Sequence, residues 1–405
     1  MKIAIVREYK KPAESRAPLT PSQVSFLRDE LDINIVVQSY EGRCYSDEEY
    51  AAAGVPLVDD VSDCDILMGV KEVPVDKLID KRTYLIFSHT IKKQEQNRAL
   101  LRAVLGKKIR LIDYELITNT HGQRLIAFGH FAGMVGAHNA LWTYGKKTGN
   151  FELPRLKDLR DYQAAKNIYK ELRLPPIKIV LTGTGRVGTG ALLTLKDMGI
   201  RQIDPDQYLT DEFDYPVFTQ LLPHHYAAQK DGDPFDKSVF YNDPEQFEST
   251  FWPFARISDL MINGIYYVEE APAFFTLEQM KSPEFKIKAI ADISCDIAPH
   301  ASIPCTFRAT TIDHPVYGYD PQSGLETEPF LAHTIDMMTI DNLPNEIPRE
   351  ATKAFGKQFI TRIMGELMKT VDHSEMLDRA TIAENGHLKP GFTYLQEWVN
   401  DKSLE

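Results

Sequence analysis

The most constraining feature of the sequence is a strand that runs straight into a glycine turn. Ile177-Lys-Ile-Val-Leu-Thr182 is almost continuously apolar. It is followed at once by Gly183-Thr-Gly185-Arg186-Val187-Gly188, and then by a helical stretch, Ala191–Met198, that stops at Gly199. A bare GxGxxG is a weak signal; its value here comes from its place between a buried strand and a helix. Gly183 permits the tight turn, Gly185 lets the backbone approach a pyrophosphate, and Gly188 lets helix and strand pack closely. The helix N-terminus would then offer free N–H groups to the phosphates, and Arg186 and Val187 of the loop count among the candidate cofactor contacts. A glycine turn that binds nothing is the bland alternative, and the strand–turn–helix setting disfavours it. Asp204 lies about twenty residues beyond Gly183, where an acid meets the adenosine ribose and repels a 2′-phosphate. Pro205 follows it, so a plain turn aspartate is an equal reading, and Asp204 does not decide between NAD and NADP.

Around that segment the chain alternates short β-branched runs with helical ones. Strands are expected at Lys2–Val6, Ile33–Ser39, Asp65–Val70, Tyr84–Phe87 and Ile109–Glu115. Helices are expected from Thr20, as N-cap ahead of Pro21, to Leu31; at Ser46–Ala53, ended by Gly54; and at Gln94–Leu105. A long helix from Phe131 to Lys147 carries Ala132, Gly133, Gly136 and Ala137, small residues that allow a close crossing against another backbone. Residues 148–176 read as a helical connector, and the Asp-, Pro- and aromatic-rich 205–245 as an insertion over the surface. Further strands are expected at Asp259–Ile262, Ile287–Ile293 and near Ala309–Ile312. The last clear helix runs from Pro348 to Thr370, ahead of a more irregular tail. The alternation implies an α/β chain: two Rossmann-like doubly wound domains with mostly parallel sheets and an interdomain cleft.

The 405 residues, 43% of them hydrophobic, suffice for two cores, since a single core stops growing at roughly 250–300 residues. A net charge of −12 argues against general affinity for nucleic acid or anionic membrane. The N-terminus, Met1-Lys-Ile-Ala-Ile-Val-Arg7, turns polar too soon for a secretory signal. No apolar run approaches the roughly 18 residues of a membrane span. Cys44, Cys64, Cys295 and Cys305 have no CxxC or metal spacing and read as free thiols in a reducing compartment. The expectation is a cytoplasmic enzyme with small-molecule partners, no metal, no nucleic acid and no membrane.

In open α/β sheets ligands gather at the carboxyl ends of the strands. Lys71 follows the strand Asp65–Val70, His89 follows Tyr84–Phe87, Glu115 closes Ile109–Glu115, and Arg16 lies in the loop after the first strand. A lysine and a histidine at neighbouring strand ends can share proton transfer, and nearby cations with partial burial would push Lys71 toward neutrality. Arg16 and Arg124 are candidate carboxylate clamps, because a guanidinium fork takes a carboxylate in two parallel bonds; surface ion pairing is the ordinary alternative. Asp292 and Asp296 fall near a strand end of the second domain. Asp341 precedes the last helix, where it either caps that approach or touches cofactor or substrate.

The runs Glu14-Ser-Arg-Ala-Pro-Leu-Thr-Pro, Gly69-Val-Lys-Glu, Phe87-Ser-His-Thr, Asp113-Tyr-Glu-Leu and Arg124-Leu-Ile-Ala-Phe-Gly-His-Phe-Ala-Gly carry a family likeness. So do Leu181-Thr-Gly-Thr-Gly, Phe235-Asp-Lys, Asp292-Ile-Ser-Cys-Asp-Ile and Ile340-Asp-Asn-Leu-Pro. Together they resemble the lysine-forming saccharopine dehydrogenases, especially the lysine–ketoglutarate reductase half of the bifunctional lysine-degrading enzymes. The resemblance implies the fold of the alanine dehydrogenase and transhydrogenase relatives. In these, a central dinucleotide-binding domain, here 141–324, interrupts a substrate domain, here 1–140 plus 325–405. It implies Lys71 and His89 as the acid–base pair, with Arg16, Glu115 and Arg124 on the substrate. On the cofactor side the candidates are Gly183, Gly185, Arg186, Val187, Gly188, Asp204 and Asp292, and the resemblance adds Asp341 on the family's active-site segment near the cofactor. The implied activity is reductive condensation of lysine with 2-oxoglutarate to saccharopine, or the reverse oxidation, with NAD or NADP. Cofactor choice stays open because the family's branches differ around the glycine loop. The chain stops at Glu405, so a second, saccharopine-splitting step is expected of another protein. A monomer or small homo-oligomer is expected. The alternatives are an alanine dehydrogenase-like enzyme using ammonia and pyruvate, or a protein that binds the cofactor without chemistry.

Overall fold

The computed structural model describes residues 1–10, 13–268, 270–369 and 374–401. Its contacts divide the chain into two units: Met1–Phe128 with Pro348–Glu405, and Gly129–Ile347. The divisions thus fall at 128/129 and 347/348 rather than at 140/141 and 324/325. The long helix packs on the second unit's glycine-loop helix, and strands after residue 315 complete its sheet.

The first segment holds six short strands: β1 (Lys2–Ile5), β2 (Asn34–Gln38), β3 (Leu57–Val58), β4 (Ile66–Met68), β5 (Thr83–Ile86) and β6 (Arg110–Asp113). Their side chains alternate between two cores. Ile3 and Ile5 join the cluster of Leu19, Val24 and Phe355, whereas Ala4 and Val6 join that of Leu101, Val104 and Leu395. Burial on both faces is why these strands read as unbroken apolar runs. Helix α1 (Pro21–Asp29) starts from a capping box between Thr20 and Gln23, and α2 (Asp47–Ala52) from one between Ser46 and Glu49. Gly54, at φ 74°, turns the chain away after α2. Helix α3 (Arg98–Gly106) follows a single 3-10 turn, Glu95–Asn97.

The second unit opens with α4 (Gly129–Thr148) and α5 (Tyr162–Glu171), then β7 (Lys178–Thr182), α6 (Arg186–Asp197), β8 (Arg201–Gln202), α7 (Pro205–Thr210), β9 (Val217–Leu221) and α8 (Pro223–Tyr226). A hairpin of β10 (Ala227–Gln229) and β11 (Phe247–Ser249) precedes β12 (Leu260–Asn263), β13 (Ala289–Asp292), β14 (Val316–Asp320), β15 (Leu325–Thr327) and β16 (Ile335–Met338). The chain then returns to the first unit through the helix Pro348–Arg362, β17 (Thr381–Glu384) and β18 (His387–Leu388).

Both units carry an eight-stranded sheet, in the orders β18-β17-β6-β5-β4-β1-β2-β3 and β15-β14-β16-β13-β12-β7-β9-β8. Pairing is parallel except at one edge of each, where β17 runs antiparallel to both β6 and β18, and β14 to both β16 and β15. Each sheet winds outward in both directions from its first strand: β1 lies between β2 and β4, and β7 between β9 and β12. Such a reversal opens a crevice at the carboxyl ends of the strands.

Several expectations change. The stretch 205–245 is not a surface insertion: it contains β9, whose Val217, Phe218 and Leu221 are fully buried and which pairs with β7 along its whole length. Its Asp- and Pro-rich flanks masked a good strand sequence. Residues 309–312 make only an isolated bridge, Thr310 to Ile340, and the strands lie farther on at β14, β15 and β16. The tail supplies two strands rather than irregular structure. The last helix breaks into Pro348–Arg362 and Met364–Met368, and its expected end at Thr370 lies outside the described residues. The small residues of α4 do permit a close crossing. A Cβ on Gly133 would fall 1.9 Å from Val187 O, and one on Gly190 would fall 1.8 Å from His130 O. Among the described residues no helix is long and apolar enough to cross a membrane.

Candidate active site

In the first unit the crevice between β1 and β4 is bridged by a carboxylate. Glu8, just beyond β1, accepts the backbone N–H of Val70 at 2.5 Å and that of Lys71 at 3.0 Å. Gly69 makes room for it, since a Cβ there would meet Glu8 Oε1 at 3.3 Å. Burial pushes the Glu8 carboxyl up to about 8, against the two N–H groups that favour its charged form. Lys71 is therefore pinned by its backbone. Burial lowers the pKa of its ammonium, and the Arg16 charge lowers it further, while Glu72 opposes both.

Glu72 joins Lys71 to His89. Its carboxylate accepts from His89 Nδ1 at 2.5 Å and pairs with Lys10 Nζ at 3.2 Å. Burial would raise Glu72, but the hydrogen bond and charge of His89, with Lys10, outweigh it and hold the carboxyl down to about 2. With Nδ1 donating, Nε2 is the ring nitrogen available for proton exchange. His89 sits at φ 51°, a conformation uncommon for a residue with a side chain and frequent at functional sites.

The row continues across β5 and β6. Buried Asp113 accepts from Ser88 N (2.9 Å), Ser88 Oγ (2.6 Å) and Glu115 N (2.7 Å), locking the two strand ends together. Glu115 pairs with Arg124 at 2.9 Å and Lys92 at 3.5 Å. The Arg124 guanidinium lies 5.8 Å from the Phe87 ring, which stacks with His89 at 6.4 Å. Two of the expected substrate contacts, Glu115 and Arg124, are thus brought together with His89.

Arg16 is placed differently from the expected clamp. Its guanidinium is buried, with Nε and Nη2 on the carboxylate of Glu14 at 2.8 and 2.7 Å and the Phe128 ring 4.2 Å away. The fork already holds a carboxylate of the chain itself, so Arg16 acts as a fixed positive charge near Lys71. Glu8, Glu14, Glu72 and Asp113 were not singled out from sequence. Glu14 and Glu72 stand beside residues that were, but only the pairing in space identifies them.

In the second unit the glycine turn has the geometry its spacing requires. Gly183 has φ 93°, and a Cβ on it would lie 2.4 Å from Gly264 O; one on Gly188 would lie 2.1 Å from Gly183 O. Gly185 is the opposite case, with nothing within 4 Å of where its Cβ would be. It is the N-cap of α6 and makes no side-chain cap, and Arg186 and Val187 open the helix behind it. This cradle fits a pyrophosphate.

Three aspartates expected nearby part company. Asp204 lies past β8, one strand outside β9, and accepts the Asp206 N–H at 3.0 Å as the N-cap of α7. The strand beside β7 is β9, so counting from the glycines pointed to the wrong strand. Asp292 is fully buried, accepting from Asn263 Nδ2 (2.9 Å), Ser294 Oγ (2.7 Å) and Thr306 Oγ1 (2.6 Å), while Thr182 Oγ1 donates to Asn263 at 2.7 Å. It braces the ends of β7, β12 and β13 from within rather than meeting a ligand. Asp341 is exposed beyond β16. Asp296 is half-buried beyond β13, and both carboxylates add to the burial that raises the Cys295 thiol. All four cysteines are free thiols.

Comparisons with known proteins accord with this layout. The alanine dehydrogenase/PNT N-terminal domain family matches residues 4–135. The rat mitochondrial alpha-aminoadipic semialdehyde synthase is 30% identical over 98% of this chain and 47% of its own length. The chain therefore spans about half the length of such relatives. A saccharopine dehydrogenase (NAD(+), L-lysine-forming) of Schizosaccharomyces pombe is 28% identical over 93% of this chain and 95% of its own. An L-alanine dehydrogenase structure superposes with a TM-score of 0.66 at 16% identity, covering 98% of this chain and all of the other. The chain is a homologue of the L-lysine-forming saccharopine dehydrogenases, with the α/β fold of alanine dehydrogenase.

Proposed function

We propose that the chain condenses the ε-amine of lysine with the keto carbon of 2-oxoglutarate and reduces the product to saccharopine, and that it also runs the reverse oxidation. The observation that carries this reading is the Lys71–Glu72–His89 cluster at the ends of β4 and β5, beside the crevice of the first sheet. The name borne by the fission-yeast relative, a saccharopine dehydrogenase of the L-lysine-forming kind, supports lysine and saccharopine as substrate and product.

In the condensing direction the attacking amine must lose a proton, and the hydroxyl that leaves the carbinolamine must gain one. His89 Nε2 exchanges those protons at the nitrogen and the oxygen, while Glu72 fixes the ring through Nδ1. Lys71, drawn toward neutrality by burial and by Arg16, shares the proton at the departing oxygen. Arg124 takes a substrate carboxylate, and Glu115 orients that guanidinium or receives the substrate's ammonium. When bound, a nicotinamide dinucleotide would supply hydride for the imine carbon. Gly183, Gly185 and Gly188, with the N–H groups of Arg186 and Val187, would hold its pyrophosphate, and Asp341 lies on the same side of the second sheet. The partners in this reading are small molecules alone.

The test follows nicotinamide absorbance with lysine plus 2-oxoglutarate against pyruvate plus ammonia, with NADH and NADPH in parallel. Oxidation only with the first pair is expected. Oxidation with pyruvate and ammonia would reassign the chain to an alanine dehydrogenase-like reaction. Oxidation with neither, in protein that still binds ADP-ribose, would leave a cofactor-binding protein without chemistry.

A further inference from the structure

The first unit carries a cavity of about 240 Å³ where the segment beyond β1 and the segment beyond β4 meet the opening turn of α3. None of Lys71, His89, Glu115 and Arg124 lines it, but Lys10 and Glu72 do. The Glu72 carboxylate is the partition between cavity and catalytic cluster: it accepts from His89 Nδ1 through Oε1 and from Lys10 Nζ, at 3.2 Å, through Oε2. The Glu72 side chain is largely buried, whereas that of Lys10 is 42% exposed, so its ammonium is open to a ligand arriving from solvent. Val73, Pro74, Ala99 and Leu100 make the cavity's apolar wall. A volume below the roughly 300–1,000 Å³ of a drug-sized site suits a molecule no larger than an amino acid.

We propose that this cavity is an effector site for a small α-amino acid with an apolar side chain. A lone carboxylate would meet the charge of Glu72 and a lone ammonium that of Lys10, whereas a zwitterion satisfies both. Neither existing contact has to break. An ammonium has three N–H donors and a carboxylate about four lone-pair positions. The ligand's carboxylate takes a further N–H of Lys10, its ammonium joins Lys10 on Oε2, and its side chain lies against Val73, Pro74 and Leu100. The added cation draws on the same carboxylate charge that holds His89, so occupancy loosens the ring and lowers turnover. Only this last step rests on the reaction proposed above.

The probe is L-norleucine, which has an aliphatic stem but no ε-amine and so cannot condense. The full chain is titrated calorimetrically as wild type, as Ala99→Phe, whose ring would fill the cavity from an exposed position, and as Lys10→Met. Wild type should bind norleucine, and each variant at least about tenfold more weakly, the worth of one charge-assisted contact in the case of K10M. Hexanoate, lacking the ammonium, should bind wild type at least about tenfold more weakly than norleucine. Urea midpoints check the folding of A99F; if it is unfolded, K10M decides alone. In the lysine and 2-oxoglutarate assay, norleucine should lower kcat at least about fivefold, the low end of coupling between linked sites, with KM for lysine unchanged. No binding by wild type, undiminished binding by folded A99F or by K10M, or simple competition with lysine overturns the proposal. Absence of turnover without norleucine counts against the reaction instead, and calorimetry still decides the site.

Discussion

The two sheets reverse direction in the same way and treat the resulting crevice in opposite ways. At β1/β4 the strand ends carry ionisable side chains: Glu8, Lys71 and Glu72, with His89 and Asp113 on the neighbouring tips. At β7/β12 they carry glycine, threonine and asparagine, with one buried aspartate held by neutral donors. Topology supplies a crevice in both. The tip residues decide whether it handles protons or backbone-bound anions.

Substitutions can break this contrast, and the largest expected effect is on turnover. Lys71→Met should lower turnover by about 10²–10⁴-fold, the range of a lost acid–base group, with ADP-ribose binding unchanged by calorimetry; wild-type turnover would remove Lys71 from the mechanism. Next comes Asp292→Ala, which strands the donors of Asn263, Ser294 and Thr306 and should cost about 3 kcal/mol in urea unfolding. A loss under about 1 kcal/mol would show that the second sheet does not need its polar brace. The glycines give a smaller, graded pair. Gly188→Ala should cost about 1–3 kcal/mol because its methyl would strike Gly183 O. Gly185→Ala should change stability by less than about 0.5 kcal/mol while weakening ADP-ribose binding.

The finest test is the sign of a pH slope. Glu72 is held at about 2 against an ordinary 4.5, so it contributes stability above pH 4.5 that drains away as pH falls toward 2. Glu72→Gln should flatten that acid limb. Glu8 is raised from 4.5 to about 8, so the fold binds its proton more tightly and loses stability as pH climbs through that window. Glu8→Gln should flatten the alkaline loss. Denaturation midpoints at stepped pH report both, and slopes of the same sign would contradict the pairing described for β1 and β4.

Much of this was legible in the sequence, for identifiable reasons. Thr20 with Pro21 announced the start of one helix and Gly54 the end of the next because caps are local signals. The glycine loop was legible because its spacing encodes a tight turn, and Gly133 because a close crossing demands a missing side chain. What stayed hidden was non-local. Strand β9 reads as a polar loop until its place beside β7 is known, and Asp204 was counted onto a strand that is not the neighbour of β7. Arg16 looked available because sequence does not reveal that Glu14 folds back onto its fork. Asp292 looked like a ligand contact because burial depth is set by neighbouring strands, not by its own motif.

The first sheet is finished by a strand encoded far downstream: β17 pairs Thr381 with Ile112 and Ala383 with Leu111. A ribosome therefore releases residues 129–347 as one uninterrupted stretch, able to fold as a block, before the residues that close the edge of β6 exist. Until they emerge, the nascent amino-terminal segment presents an open strand edge, the kind of surface that recruits foreign strands. Chaperone demand during synthesis should accordingly fall on the opening 128 residues rather than on the middle of the chain.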